Sequence, residues 1–233
     1  MRVAEGSSEG QQPALDEHRV FAGDRHLLTL LRTRSNDART SLQGCVGLSI
    51  SLARAAALTF TFLRTDALPG VLDAMQYLDD GPCETTIRTG EEIGVDDVRA
   101  EDRWLLFTTV CAATGIRSSL SLPLYRGPVV VGSVNIYGDV ERAFTGEQAD
   151  TAAAFGAQVQ AIIGNADLST SPIRIASPST PPPERDALID QALSVLAPNL
   201  GVPAEAASRR LAEAAARART STTEVASAIV MSL

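Results

Sequence analysis

The chain has 233 residues, 45% of them hydrophobic and 21% charged, a balance that is ordinary for a globular protein and argues against disorder across the whole chain. Its 28 acidic residues outnumber 20 basic residues, and the net charge of -8 excludes a surface that attracts polyanions everywhere, although a local basic stripe is compatible with it. Every basic residue is arginine, which excludes P-loop, protein-kinase and pyridoxal enzymes, because each of these needs a lysine.

The cysteines do not indicate a disulfide framework. Cys45, Cys83 and Cys111 form no C-x-x-C pair, and their number is odd. No apolar run is long enough for a membrane span and no signal peptide is recognisable, so we expect a cytoplasmic protein that does not enter a membrane. The thiols are expected to behave as small buried hydrophobes, with a thiol sensor built on Cys83 and Cys111 as a weaker alternative.

The hydrophobic pattern predicts helices and strands in a mixed order. A polar tail over residues 1–14 precedes an amphipathic helix over residues 15–39. Strands are expected at residues 46–51, 58–63, 93–98, 118–124 and 129–137. Helices are expected at residues 84–89, 103–114 and 146–164. Residues 72–78 fit either a strand or a helical turn. This order predicts an α+β domain with an antiparallel sheet.

A change of composition marks a second region. Eleven of the sixteen residues 168–183 are Ser, Thr or Pro, which indicates an extended linker. Residues 184–233 then show helical spacing without any strand signal. Pro203 starts the second of three short helices, and Ser221 with Glu224 forms a capping box in front of the third. Three such helices make a small core, so we expect them to pack against the first region or against a second chain.

Short motifs follow one another in a fixed order through residues 15–167. They are Asp73-x-x-Gln76-Tyr77, Asp80-Gly81-Pro82-Cys83, Val95-Asp96-Asp97, the lone Trp104, Gly115-Ile116-Arg117-Ser118-Ser119-Leu120-Ser121-Leu122-Pro123-Leu124 and Val131-Gly132-Ser133-Val134-Asn135-Ile136-Tyr137. This series resembles a GAF domain of the type found in actinobacterial regulators, a module that binds small molecules or dimerises. The resemblance implies a sheet flanked by helices and a pocket for an unidentified ligand, lined by Cys83, Asp97, Trp104, Phe107, Leu120 and Leu122. A pocket that closes on itself and serves dimerisation is the alternative.

The last fifty residues resemble an ANTAR domain, the three-helix RNA-binding module of transcription antiterminators. The match runs without a gap through Ile189-x-x-Ala192, Val195-Leu196, Ala207-x-x-x-Leu211-x-x-x-Ala215, Glu224-Val225-Ala226 and Ile229-Val230. The resemblance implies that dimeric units bind paired RNA hairpins. Several positions that are usually basic or aromatic in the family are Leu193, Asn199, Ser208, Ala212, Thr220 and Ser221 here, and Ser194 replaces a usual glycine. The arginines that remain for phosphate contacts are Arg209, Arg210, Arg217 and Arg219.

Nothing in the sequence assembles a catalytic or metal site. His18 and His26 are the only histidines and both fall in the predicted N-terminal helix, so no Ser-His-Asp, Cys-His or metal-ligand spacing is present. Adjacent Asp96 and Asp97 would point to opposite faces of a strand. The residues that GAF domains use for cyclic nucleotides, haem or bilins are also missing. We therefore expect no enzyme activity, no cofactor and no metal.

Two hypotheses follow. The first is a cytoplasmic, homodimeric regulator whose GAF domain senses a signal and whose ANTAR-like domain binds RNA hairpins in antitermination. The second is a sensor or protein-interaction module whose ANTAR-like tail dimerises and does not bind RNA. An exposed face that gathers the four arginines away from Glu205 and Glu213 would favour RNA binding, whereas acids interleaved with them would favour the interaction module.

Overall fold

The fold is described from a computed structural model over residues 25–54, 58–165 and 183–233. The predicted tail, the first part of the predicted N-terminal helix and most of the predicted linker lie outside these residues. Within them the chain forms α1 (Arg25–Ser41), β1 (Cys45–Arg54), β2 (Leu58–Arg64), α2 (Ala67–Asp79), α3 (Pro82–Thr89), β3 (Ile93–Val95), α4 (Leu105–Ala113), β4 (Ser118–Arg126), β5 (Val129–Gly138), α5 (Glu147–Gly164), α6 (Pro183–Asn199), α7 (Ala204–Arg217) and α8 (Thr222–Met231). The predicted α+β class is confirmed.

The five strands form one sheet in the order β2-β1-β5-β4-β3, and every neighbouring pair is antiparallel. In the centre, β1 and β5 approach so closely that a Cβ on Gly132 would lie 2.2 Å from the carbonyl oxygen of Ser51. A residue with a side chain at this position would therefore push β1 and β5 apart.

The two faces of the sheet are covered by different helices. One face packs against α1 and α5 over an apolar core that includes Leu48, Ile50, Val134 and Ile136. The opposite face is covered by α2 and α3. Successive residues of a strand point to opposite faces of the sheet, so each strand directs alternate side chains toward α1 and α5 or toward α2 and α3.

The three C-terminal helices pack directly on this first domain. Both α7 and α8 contact α2, and α8 also contacts α4. Buried Leu72 and Met75 of α2 belong to the same continuous core as Leu211 of α7 and Ile229 of α8. The expected packing of the small helical region against the first region is therefore confirmed.

Residues 72–78 lie in a helix, α2, in which every residue from Pro69 to Leu78 is buried. The sheet contacts this helix on one side, and α7 and α8 contact it on the other. A helix that is buried on both sides has no polar stripe. The hydrophobic period therefore could not show whether residues 72–78 form a helix or a strand.

The predicted capping box is confirmed at the start of α8. The Ser221 hydroxyl accepts from the backbone N–H of Glu224, and the Glu224 carboxylate accepts from the backbone N–H of Ser221. At the end of α3, Gly90 adopts a positive φ of 75°, a conformation that favours glycine and ends the helix. The third strand is shorter than predicted and ends at Val95.

Across the described ranges, none of the helices combines the length and the apolar character that crossing a membrane would require.

Candidate functional site

Polar side chains line the face of the sheet that α2 and α3 cover. Four strands contribute two residues each, because alternate residues of a strand share a face. They are Ser49, Ser51, Thr59, Thr61, Ser119, Ser121, Ser133 and Asn135, and all are buried. We call these eight residues the polar layer. Buried hydroxyls are costly unless they are hydrogen-bonded, so the layer needs partners from the helices above it.

Asp73 of α2 is the acidic centre of these partners and is completely buried. Its carboxylate accepts from the Tyr137 hydroxyl at 2.6 Å, the Thr61 hydroxyl at 2.7 Å and the Ser49 hydroxyl at 2.9 Å. Burial raises the pKa of Asp73 to about 6, while the three hydrogen bonds oppose that shift. A carboxyl group in this environment can change its charge near neutral pH.

Tyr77, also on α2, completes the contacts with the polar layer, and its neighbour Gln76 connects α2 to α3. The Tyr77 hydroxyl lies 2.9 Å from the Ser51 hydroxyl and 3.0 Å from the Thr61 hydroxyl. The Gln76 side-chain oxygen accepts from the backbone N–H of Cys83 at 2.7 Å, which ties the start of α3 to α2. The polar layer, α2 and α3 therefore form one hydrogen-bonded unit.

The six residues predicted to line a pocket do not come together. Cys83, Trp104 and Phe107 are buried in the core beside α2, whereas Leu120 and Leu122 are buried in the core on the opposite face of the sheet. Asp97 is half-buried, and its carboxylate accepts from the backbone N–H of Arg99 at 3.0 Å. The prediction is wrong for Leu120 and Leu122, because the period of β4 sends Ser119 and Ser121, rather than the leucines, toward the helices.

The three cysteines are free thiols, and Cys83 and Cys111 are buried. Burial raises the pKa of both buried thiols well above the ordinary range and raises the pKa of Cys45 to about 11. Thiols that stay protonated are poor nucleophiles, which disfavours the alternative of a thiol sensor.

Arg217, one of the four predicted RNA contacts, points into the first domain. Its guanidinium pairs with the Glu84 carboxylate of α3 at 2.9 Å and donates to the carbonyl oxygen of Thr59 at 2.6 Å. It also stacks over the Tyr77 ring, 4.4 Å from the centroid. The Arg217 and Glu84 side chains are only 15% and 19% exposed. Burial raises the pKa of Glu84, and Thr59 and Arg217 oppose the shift.

Arg219, a second predicted RNA contact, forms a reciprocal contact with β2. Its guanidinium donates to the carbonyl oxygen of Phe62 at 2.8 Å, and the Arg64 guanidinium donates to the carbonyl oxygen of Arg219 at 3.0 Å. Arg219 adopts a positive φ of 55°, which turns the chain from α7 toward α8. Two of the four arginines are thus used in the contact between the two regions.

Arg209 and Arg210 are exposed on α7. Glu205 and Glu213, also exposed, lie one helical turn on either side of Arg209 and therefore share its face. Arg210 lies close enough to Asp79 of α2 to lower the pKa of that carboxyl against the effect of burial. The four arginines accordingly do not form one exposed face free of acids.

Sequence reasoning missed Asp73, Thr59 and Glu84 as site residues. The sequence held a signal for the first two: Asp73 belongs to the motif Asp73-x-x-Gln76-Tyr77, and Thr59 alternates with apolar residues in β2. The role of Glu84 had no local signal, because its partner Arg217 is 133 residues away.

The outer side of the first domain has a shallow groove of about 310 Å³ between α1 and α5. Its lining combines apolar and polar side chains, namely Leu30, Arg34, Gln158, Ala161 and Ile162. Among the residues that the structure describes, no three histidine, cysteine or acidic side chains are grouped so as to hold a metal ion.

Comparison with known proteins relates the two regions to two families. The sequence model of the GAF domain matches residues 37–164, and that of the ANTAR domain matches residues 183–230. A domain of a putative two-component sensor histidine kinase from Sinorhizobium meliloti 1021 shares the fold at a TM-score of 0.51 and 17% identity, over 61% of this chain and 94% of that one.

Two further solved structures are similar at lower scores. The GAF-B domain of DevS from Mycobacterium smegmatis has a TM-score of 0.41 and 22% identity, over 58% of this chain and 91% of that one. A type II free methionine-R-sulfoxide reductase from Thermoplasma acidophilum has a TM-score of 0.41 and 13% identity, over 59% of this chain and 94% of that one. No curated protein matches the chain. The chain belongs to the GAF domain family and carries an ANTAR domain after its GAF domain.

Proposed function

We propose that this chain regulates transcription by binding RNA through α6–α8, and that the GAF domain controls this binding in response to a signal. The observation that carries the proposal is the ANTAR match over residues 183–230, within which exposed Arg209 and Arg210 follow one another on α7. Arginines on one helix can neutralise neighbouring phosphates of a folded RNA.

The affinity for RNA should be low while α7 is packed against the GAF domain, an arrangement that we call the docked state. Glu205 and Glu213 offset the charge of Arg209, and Arg217 is engaged with Glu84. Phosphate neutralisation dominates RNA affinity, so fewer available arginines mean a smaller salt dependence, with the slope of log K against log salt falling by about 0.7 to 0.9 for each lost phosphate contact.

The test is RNA binding by the full-length chain to a two-hairpin RNA at two salt concentrations. The double variant Arg209→Ala, Arg210→Ala should bind more weakly and show a smaller salt slope. The matched control is Arg32→Ala, Arg99→Ala, which removes the same charge from exposed positions outside α6–α8. Equal binding by both double variants would contradict a role of α7 in RNA contact.

A second candidate is an interaction module whose ANTAR domain does not bind RNA. It is favoured by the use of Arg217 and Arg219 in contacts with the GAF domain. We also propose a homodimer, for which the groove between α1 and α5 offers apolar surface. A dimer in light scattering without RNA binding at micromolar protein would support the second candidate over the first.

For the signal itself, we propose a small ligand that bonds to the polar layer. The layer offers hydroxyl and amide groups around the Asp73 carboxyl group, and the Ser119 hydroxyl has no hydrogen-bond partner within the described part of the chain. An uncharged or cationic ligand suits this chemistry better than an anion. Ligands can be screened by their effect on thermal unfolding, and a true ligand should lose its effect in Asp73→Asn. Catalysis has no part in this proposal.

A further inference from the structure

Arg217 occupies an acceptor site that the GAF domain provides from three different elements. Glu84 of α3 supplies a carboxylate, Thr59 of β2 supplies a carbonyl oxygen, and Tyr77 of α2 supplies a carbonyl oxygen at 3.4 Å and the ring beneath the guanidinium. The Glu84 carboxylate is itself held in place by the Thr59 hydroxyl, which donates to it at 2.9 Å. A charge that enters such a partly buried site is retained only if it is paired and hydrogen-bonded, as it is here.

A second attachment lies two residues further along the chain. The backbone of Arg219 accepts from Arg64, and its side chain donates to Phe62, so the turn after α7 is bonded to the edge strand β2 in both directions. Gly70 of α2 lies so near this turn that an added Cβ would be 3.1 Å from the carbonyl oxygen of Ala218. The end of α7 is therefore held to the GAF domain by hydrogen bonds and by close packing.

The donors of Arg217 that bond to the GAF domain are the same N–H groups that would bond to a phosphate. A guanidinium carries a fixed set of donors in one plane, and in this structure Glu84 and Thr59 take those of Nη2 and Nε. The Tyr77 ring covers one face of the same group. An RNA phosphate can approach this group in a bidentate way only after the carboxylate has left.

We propose that Glu84 and RNA phosphate compete for Arg217, so that docking of α7 on the GAF domain is an autoinhibited state of the regulator. This inference rests on the proposed RNA-binding function and specifies how the GAF domain controls it. The Arg217–Glu84 pair holds the docked state, and its opening frees a third and a fourth arginine, Arg217 and Arg219, for phosphate contacts.

The experiment compares full-length wild type with Glu84→Gln, Arg217→Ala and the matched control Glu92→Gln. Glu92 is exposed and directly precedes β3. Hydrogen exchange of α7 and α2 reports docking without RNA, and fluorescence anisotropy with a two-hairpin RNA reports affinity. Exchange of the sheet strands and circular dichroism establish that each variant is folded. Glu84→Gln and Arg217→Ala, which we call the latch variants, each remove one side of the Arg217–Glu84 pair. Arg217→Ala therefore tests the same contact if Glu84→Gln does not fold.

We expect Glu84→Gln to increase exchange in α7 and to bind RNA about tenfold more tightly or better, because the competent fraction of the chain rises. Arg217→Ala should increase exchange equally but bind RNA more weakly than Glu84→Gln, since it also lacks the phosphate contact. Glu92→Gln should match wild type in both measurements.

Three outcomes would overturn the inference. Unchanged exchange in both latch variants would mean that the pair does not hold the docked state. Increased exchange in Glu84→Gln with an RNA affinity equal to that of wild type would mean that docking does not compete with RNA. Absence of RNA binding in wild type and in an opened Glu84→Gln would instead refute the proposed function together with this inference.

Discussion

Replacing Asp73 by asparagine should remove most of a pH dependence that the buried carboxyl group gives to folding. Asp73 is completely buried among hydroxyl groups, and burial raises its pKa from 3.8 to about 6. A group whose pKa is raised by folding stabilises the folded state fully below its unfolded pKa. That contribution is lost as the pH rises through the folded pKa. The free energy of unfolding should therefore fall between about pH 4 and about pH 7.

The magnitude follows from the two pKa values. The gap between 3.8 and about 6 corresponds to about 3 kcal/mol at its low-pH limit, since one pKa unit is worth about 1.4 kcal/mol. About 1.4 kcal/mol of this should appear between about pH 7.5 and about pH 5, where only part of the titration is sampled. An asparagine resembles the protonated carboxyl group in shape and hydrogen bonding but does not titrate.

Urea unfolding followed by circular dichroism at several pH values measures the effect. The useful quantity is the stability of wild type minus that of Asp73→Asn, because the contributions of Glu84, Asp79 and other acids cancel in the difference. Asp37→Asn, an exposed change on α1, serves as the control and should leave the wild-type profile unaltered. A wild-type minus Asp73→Asn difference that stays flat over this range would refute the reasoning, and so would one that rises with pH.

Other substitutions test the packing and the local geometry. Leu211→Ala should lower the free energy of unfolding by about 2 to 5 kcal/mol, because it leaves a cavity in the core that both domains share; urea unfolding checks this, and a loss below 1 kcal/mol would contradict the packing. Ser221→Ala should cost about 1 kcal/mol through loss of the α8 cap, which Ser221→Asp should largely retain. Gly132→Ala should yield little folded protein, since its Cβ would collide with the Ser51 carbonyl oxygen, and a normally stable variant would show that β1 and β5 are not so close. In the native chain Cys111 should not react with a thiol reagent until urea unfolds it.

Local signals predicted most of the elements. Strand alternation was sufficient for β1 and β2, and the capping box at Ser221 and Glu224 located α8. What local signals could not predict was the surroundings of α2, because a helix enclosed between a sheet and two other helices loses the polar stripe from which helices are recognised.

The site was harder to predict than the fold, for two physical reasons. The GAF resemblance placed Leu120 and Leu122 in the pocket, yet this domain buries an apolar core with both leucines on one face of the sheet and hydroxyl groups on the other. Arg217 was expected to contact RNA because it is one of the basic residues that remain in the region resembling an ANTAR domain, whereas its Glu84 partner is remote in sequence. Pairings over such distances depend on how the two domains meet, and no local pattern records that.

The core shared by α2, α7 and α8 bears on how this chain can change in evolution. Because the two domains touch directly, the contact itself sets their relative position in the docked state, so modest insertions in the segment that joins them should be tolerated. Substitutions in the contact between α2 and α7 should instead arise in compensating pairs. Exchanging either domain for that of a relative should therefore produce a hybrid with poorly matched apolar surfaces at the shared core.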